Sequence, residues 1–378
     1  MKPEKFHPLR NTLVVSLEQA ASAPLASCRL ADAGARVIKV ERLTGDFARQ
    51  YDEVVHGQST YFTWLNRGKE SVRIDIKSRE GRELLLNIIS KADVFIQNLA
   101  PGALSKLHLD SETLRKKYPQ LITCDISGYG EEGRFSGRKA YDNLVQAESG
   151  LLDVTGTGED RAKVGISIVD ISTGIHAYSA ILEAIIHRGE TGKSTAIKIS
   201  MFDCIADWMM VPWLHQKYGG KAPERTGVHH ASIAPYGPFE TKSGREIMIA
   251  IQNEREWKRF CSEVLEYEIH PEDQQFARNS LRVQNRETLN RIIQRKFKKI
   301  SYNDISDSLK KHQIAFSNVN SMSEFENHPQ LRLTSVKSES GEVKMADRPA
   351  KFAGYQTAFG PIPALGEHDE LIKKEFKK

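Results

Sequence analysis

Asp170 is the residue best placed to do chemistry. It directly precedes a run in which Ile171, Ile175, Tyr178, Leu182 and Ile185 recur with a helical period. An aspartate at that position has two readings. It is a common N-cap, accepting the unpaired N–H groups of the first helical turn. The same N–H groups stabilise negative charge, which is what a carboxylate nucleophile needs to stay ionised and oriented. The residues alone leave both readings open.

Other motifs resemble chemistry and fail on context. Gly128-Tyr129-Gly130-Glu131-Glu132-Gly133 has the G-x-G-x-x-G spacing of a dinucleotide loop, but Arg134 to Arg138 show no helical period. Without a helix opening there, no N-terminus faces a pyrophosphate, so a tight turn is expected. Gly189 to Thr195 (GETGKST) looks like a phosphate loop, yet His187 stands where the leading glycine belongs, and a helix precedes it. A helix-to-strand turn is expected, and ATP is set aside. His229 and His230 are adjacent, with no carboxylate at helical spacing, which favours a surface or substrate-loop role over a metal. Cys28, Cys124, Cys204 and Cys261 are far apart and form no C-x-x-C pair. Buried, reduced thiols are expected, with no metal site.

The elements that must position these residues form a recognisable series. Strands are expected at Thr12–Leu17, Arg36–Glu41, Val72–Ile76, Val94–Gln97 and Leu121–Ser127, with helices at Pro24–Ala33 and Glu80–Lys91. Strands alternating with helices are the signature of a parallel sheet. Long helices follow at Ile171–Arg188 and Met201–Lys217, flanking a strand at Ala196–Ser200. After Gly219 and Gly220 the texture changes to a strand at Ile247–Ile251 and charged helices up to about His328. The expected fold is α/β. A Rossmann-like, mostly parallel open sheet lies in a large domain at residues 1–215, completed by 335–378, and a smaller α+β domain occupies 225–330.

Composition narrows the partners. The 378 residues carry 54 Lys and Arg against 49 Asp and Glu, a net +5. That is too weak a bias to imply nucleic acid, and mildly favours an anionic small ligand. The first residues, MKPEKFHPLRN, lack an apolar signal core, and no apolar run approaches the ~18 residues of a membrane span. A cytoplasmic protein without a membrane partner is expected.

Collinear blocks then identify a resemblance. Glu18-Gln19-Ala20-Ala21-Ser22-Ala23-Pro24, Gly34 to Glu41, Asn66-Arg67-Gly68-Lys69-Glu70-Ser71, Gln97-Asn98-Leu99-Ala100-Pro101-Gly102-Ala103, Ile126 to Gly130, Lys139-Ala140-Tyr141-Asp142, Val169 to Gly174 and Pro363 to His368 run in order along nearly the whole chain. Together they resemble the class III coenzyme A transferases, the CaiB/BaiF family. The resemblance implies that Asp170 is the nucleophile, that an aspartyl-CoA thioester forms, that no separate cofactor is needed, and that two chains interlock as a homodimer. It places CoA contacts on Gln19, Ala20, Ala21, Arg42, Ile74, Lys77, Asn98, Leu99, Lys106 and Lys139. Basic residues among them suit the phosphates of CoA.

Two departures bear on the substrate. Family members that epimerise 2-methylacyl-CoA esters carry a histidine where Tyr141 stands, so the proton-transfer base is missing. The oxalate-and-formate branch has a glycine-rich flap, whereas His229 to Gly237 read HHASIAPYG. The blocks Tyr141 to Gly150, Ser232 to Gly237 and Ala250 to Trp257 look closest to the branch acting on C4–C5 dicarboxylates. Succinyl-CoA is the expected donor and itaconate or mesaconate the expected acceptor. Such a substrate needs a cation for its distal carboxylate, for which Arg49, Arg67, Lys221 and Arg225 are candidates. Asp142 is a possible second acid. An intramolecular mesaconyl-CoA transferase, an epimerase and a catalytically silent acyl-CoA-binding protein are the alternatives.

Overall fold

The computed structural model describes residues 4–377. Their contacts divide into two units. The larger holds residues up to Ser149, Val164–Met210 and Arg332 onward; the smaller holds Gly150–Lys163 and Val211–Leu331. Residues 150–163, expected in the large domain, therefore belong to the smaller unit.

Six strands build the larger unit's sheet: β1 (Leu13–Leu17), β2 (Arg36–Glu41), β3 (Lys69–Arg73), β4 (Val94–Gln97), β5 (Ile122–Ser127) and β6 (Ala196–Ser200). They are ordered β3-β2-β1-β4-β5-β6, and every pairing is parallel. This is the doubly wound order, in which the chain reverses direction across the sheet between β1 and β4. Alternating residues feed two apolar layers, as a sheet covered on both faces requires. Val14, Val37, Ile96, Cys124 and Ile126 pack on one side with helices α1 (Ser22–Asp32) and α4 (Ile168–Thr191). Val15, Ile38, Val40, Val72 and Phe95 pack on the other with α2 (Arg79–Ile89).

Helix α1 is rich in small residues, and α4 answers it with Gly174. A Cβ on Gly174 would lie 2.7 Å from Leu25 Cβ and 2.8 Å from the Ser22 carbonyl oxygen. That glycine lets the two helices meet nearly backbone to backbone. By length and composition α4 would pass as a bilayer-spanning helix; one face of it, with Thr173, Ala177, Ile181 and Ala184, is buried in the larger unit.

Three boundaries differ from expectation. α4 begins at Ile168, three residues before Ile171, so Asp170 lies inside its first turn and is not the N-cap, which is Ser167. β3 lies at Lys69–Arg73 and not at Val72–Ile76. The stretch Met201–Lys217 is two helices, α5 (Met201–Trp208) and Met210–Gly219. Pro212 falls in the first turn of the second, the one place where its missing N–H is harmless.

The C-terminal segment returns to the larger unit and lies along the free side of β3. Ser71 donates its N–H to His368 Nδ1 (3.2 Å) and accepts the His368 N–H (3.0 Å). Arg73 pairs with Asp369 and Arg36 with Glu375. The smaller unit is a three-stranded antiparallel sheet of Tyr236–Glu240, Glu246–Ala250 and Ala315–Asn318. It packs around Trp257, Phe260, Leu289, Ile293 and Phe297.

Candidate active site

In a parallel sheet the segments following every strand emerge along one edge, and ligands bind there at the switch point. The segments after β1 and β4 are stitched together at that place. Gln19 donates its N–H to Asn98 Oδ1, and Asn98 Nδ2 donates to the Gln19 carbonyl, each at 2.9 Å. Ala20 takes a left-handed conformation at φ 63°, unusual for a side chain other than glycine. Its N–H is held at 3.2 Å by buried Asp46. Leu99 donates to Gln97 Oε1 at 2.8 Å.

The turn after β1 delivers the N-terminus of α1 to Asp170. The Ser22 hydroxyl and backbone N–H lie near enough to the Asp170 carboxylate to favour its charged form. Asp170 itself lies in the first turn of α4, and its carboxylate faces the N-terminus of α1. Ser167, the expected type of cap, does not cap: its hydroxyl pairs with the Tyr61 hydroxyl at 2.6 Å. The cap comes instead from Asp142, the first residue of α3 (Asp142–Glu148). Asp142 Oδ2 accepts the Val169 and Asp170 N–H groups at 2.8 and 3.0 Å, while Oδ1 accepts from buried Gln146 at 2.5 Å.

This arrangement fixes the electrostatics. Burial pushes the Asp170 carboxyl up to about 7, the negative Asp142 pushes the same way, and the Ser22 hydrogen bonds partly oppose them. Asp142 is thus both the cap that orients Asp170 and a like charge that resists its ionisation. The Tyr51 phenol is raised to about 12 by burial and by Asp46, Asp170 and Tyr141, and it packs edge-on to Tyr61 at 5.6 Å. A carboxylate that titrates near neutrality can be protonated or nucleophilic under the same conditions.

The remaining expected residues fall into distinct places. Arg42, Lys77, Lys106 and Lys139 are exposed on segments that follow β2, β3, β4 and β5, and none is ion-paired among the described residues. Topology puts all four on the carboxyl edge of the sheet with Gln19 and Asn98. Ala21 and Ile74 are buried apolar side chains, so only their backbones could meet a ligand.

The four cations expected for a distal carboxylate are all engaged, which corrects that expectation for the buried pair. Arg67 is buried against Asp32, with N–O distances of 3.0 and 2.6 Å. Arg49 grips Glu41 at 2.8 and 2.9 Å and lies 3.6 Å over the Phe62 ring. In the smaller unit Lys221 pairs with Glu224, and Arg225 pairs with Asp153 and the Gly158 carbonyl. Arg286 lies there too. It is half-buried, donates to the Ala231 carbonyl at 2.8 Å, and has no carboxylate within ion-pair reach among the described residues. Burial alone draws its pKa down. Sequence reasoning missed Ser22 and Tyr61, since nothing in their local spacing points 100 or more residues ahead to Ser167 and Asp170.

The motifs set aside remain structural. The Gly128–Gly133 stretch is followed by no helix until Asp142, and Gly192 is the left-handed C-cap of α4 at φ 71°. His230 stacks on Tyr236 at 5.2 Å. All four cysteines are free and buried, and burial raises each thiol.

Comparison with known proteins agrees with this geometry. The model of CoA-transferase family III matches residues 9–369. The chain is 31% identical to the acetyl-CoA:oxalate CoA-transferase of Acetobacter aceti, over 98% of this chain and 96% of that protein. It is 30% identical to the succinyl-CoA:glutarate CoA-transferase of Mus musculus, over 98% and 87% respectively. A crystal structure of a CAIB/BAIF family protein from Brucella suis superposes with a TM-score of 0.85 at 31% identity, covering 99% of this chain and all of that one. A family match spanning both units, the doubly wound sheet and the carboxylate at its switch point lead to one assignment: the chain belongs to CoA-transferase family III, the CaiB/BaiF enzymes.

Proposed function

We propose that this CoA-transferase moves CoA from succinyl-CoA to a C4–C5 dicarboxylate, with Asp170 as the nucleophile. The observation that carries the reading is the Asp170 carboxylate in the first turn of α4, faced by Ser22 at the start of α1. Asp170 attacks the donor thioester carbonyl; the C–S bond breaks and CoA leaves as thiolate, giving an acyl-aspartyl anhydride. The thiolate attacks the aspartyl carbonyl and expels the donor acid, leaving an aspartyl-CoA thioester. The acceptor carboxylate then displaces the thiolate to form a second anhydride. Thiolate attack on its acceptor carbonyl releases the new acyl-CoA and regenerates Asp170. Each step exchanges one acyl bond for another, so no oxidant or added water enters the balance.

Ser22 at the start of α1 stabilises the Asp170 carboxylate whenever it is the leaving group. Arg42, Lys77, Lys106 and Lys139 meet the CoA phosphates. The free carboxylate of the acceptor needs a cation, and Arg49 and Arg67 are already paired with Glu41 and Asp32. Glutarate, itaconate and mesaconate share the required chemistry: two carboxylates on a five-carbon skeleton. Exposed Val211, Trp213, Leu214 and Tyr218 on the helix after α5 support a homodimer, which a monomeric mass at micromolar concentration would refute.

The deciding experiment incubates the protein with succinyl-CoA and a panel of dicarboxylates, with mass detection of new thioesters. In parallel, hydroxylamine or borohydride traps the activated acyl group on Asp170. Transfer without a trappable Asp170 would refute the proposed nucleophile.

A further inference from the structure

Beneath the turn that presents Ser22 lies a group of buried charges with no part in the reaction as written. Glu18, Glu41 and Asp46 face Lys39, Lys69 and Arg49, three carboxylates against three cations. Lys39 and Asp46 meet at 2.8 Å, and Asp46 is the residue that holds the Ala20 N–H. Lys69 is more singular. Its buried ammonium makes three contacts, to Glu18 Oε1 at 2.6 Å, Asn66 Oδ1 at 2.9 Å and the Pro24 carbonyl at 3.0 Å. An ammonium has three protons to give, and all three are used.

The contacts to Glu18 and Pro24 lie on either side of Gln19–Ala23. One end is the last residue before the turn, and the other is the first turn of α1. A single cation therefore closes the segment as a loop, with Ser22 inside it. Ser27 reinforces the closure by donating to Glu18 Oε2 at 2.6 Å. The loop cannot relax toward α4 either, because Gly174 already brings the Ser22 carbonyl into van der Waals contact. Ser22 is held from behind by Lys69 and from in front by α4.

We propose that Lys69 is a positioning residue for the acyl transfer: by tying Glu18 to Pro24 it holds Ser22 in place against Asp170. The inference rests on the reading of Asp170 as the nucleophile. The charged group felt at Asp170 is Asp142 on α3, and the Tyr51 phenol feels Asp170 in turn. Lys69 touches none of them, so it acts through Ser22.

Removing Lys69 alone would leave Glu18 short of a partner in the core, which is strongly destabilising. The pair Glu18→Gln with Lys69→Met removes both charges and leaves two carboxylates facing two cations. In this double variant kcat for CoA transfer should fall at least tenfold, while KM for acyl-CoA stays within twofold. Capture of Asp170 by a water-soluble carbodiimide, followed by mass spectrometry across pH, should show its midpoint raised by half a unit or more. A folded double variant with an unmoved midpoint and kcat within twofold of wild type overturns the proposal. Ser22→Ala leaves the buried charges in place and should also raise the midpoint; an unmoved midpoint there overturns the proposal even if the double variant does not fold. Failure of the wild-type protein to transfer CoA to any carboxylate would refute the functional reading, whereas carbodiimide capture still tests the link from Lys69 to Asp170.

Discussion

Replacing Asp170 with Asn should make the protein more stable and nearly inactive, and the stability gain should depend on pH. In the folded chain the carboxyl titrates near 7, against an ordinary 3.8. Below pH 4 it is protonated in both the folded and unfolded chains and has no differential effect. Between about 4 and 7 the unfolded chain loses the proton while the folded chain keeps it, so stability falls as pH rises. Above 7 the full penalty applies. Three units at about 1.36 kcal/mol each set a ceiling of roughly 4 kcal/mol, reduced because the carboxylate is only partly buried. Asn keeps the size, carries no charge to be desolvated and feels no repulsion from Asp142. Chemical denaturation at pH 5 and pH 8 should show the variant more stable by about 1–4 kcal/mol at the higher pH and by much less at the lower. Transfer should fall by about three orders of magnitude or more, since an amide cannot form the anhydride at a useful rate. Equal stability at pH 8, or a gain confined to pH 5, would refute the electrostatic reasoning; near wild-type turnover would refute the chemistry.

Two further outcomes are expected. Lys77 and Lys139 replaced together by Ala should raise KM for acyl-CoA tenfold or more and leave that of the acceptor nearly unchanged, because a charge-assisted hydrogen bond contributes roughly 1.5–3 kcal/mol before screening; initial-rate kinetics on both substrates would show it. Gly174→Ala should destabilise the larger unit by about 1–3 kcal/mol and lower kcat, because its methyl group forces α1 away from α4; thermal unfolding and turnover measure the two effects.

The strands of the larger unit were legible wherever apolar and β-branched residues alternate, as in Val14-Val15, Val37-Ile38 and Phe95-Ile96. β3 was read too late because Lys69 and Glu70 look like surface residues; only the pairing of Lys69 with Glu18, 51 residues away, makes a buried lysine possible there. The start of α4 was misplaced for a related reason. Its cap is supplied by Asp142 across 28 residues, so the local search for a capping side chain stopped at Asp170. The break at Met209 did have a local signal, Pro212, which was not used. At the site, the collinear blocks pointed to Asp170, but its partners Ser22, Asp142 and Tyr61 are joined by the fold and not by spacing. Arg49 and Arg67 were chosen on charge alone, and charge does not reveal a partner already in place.

The C-terminal segment that lies along β3 has a consequence for synthesis. The side of β3 that it covers leaves the ribosome early, whereas His368 and Asp369 follow about 300 residues later. At about 5–20 residues per second the roughly 300 intervening residues take on the order of 15–60 s. For that interval a nascent chain presents the bare backbone of an outermost strand, the surface on which neighbouring chains pair. Growing chains thus depend on dilution or on a chaperone until His368 and Asp369 emerge. A stop codon shortly before His368 would make that temporary exposure permanent, favouring aggregation even though every side chain around Asp170 had been translated.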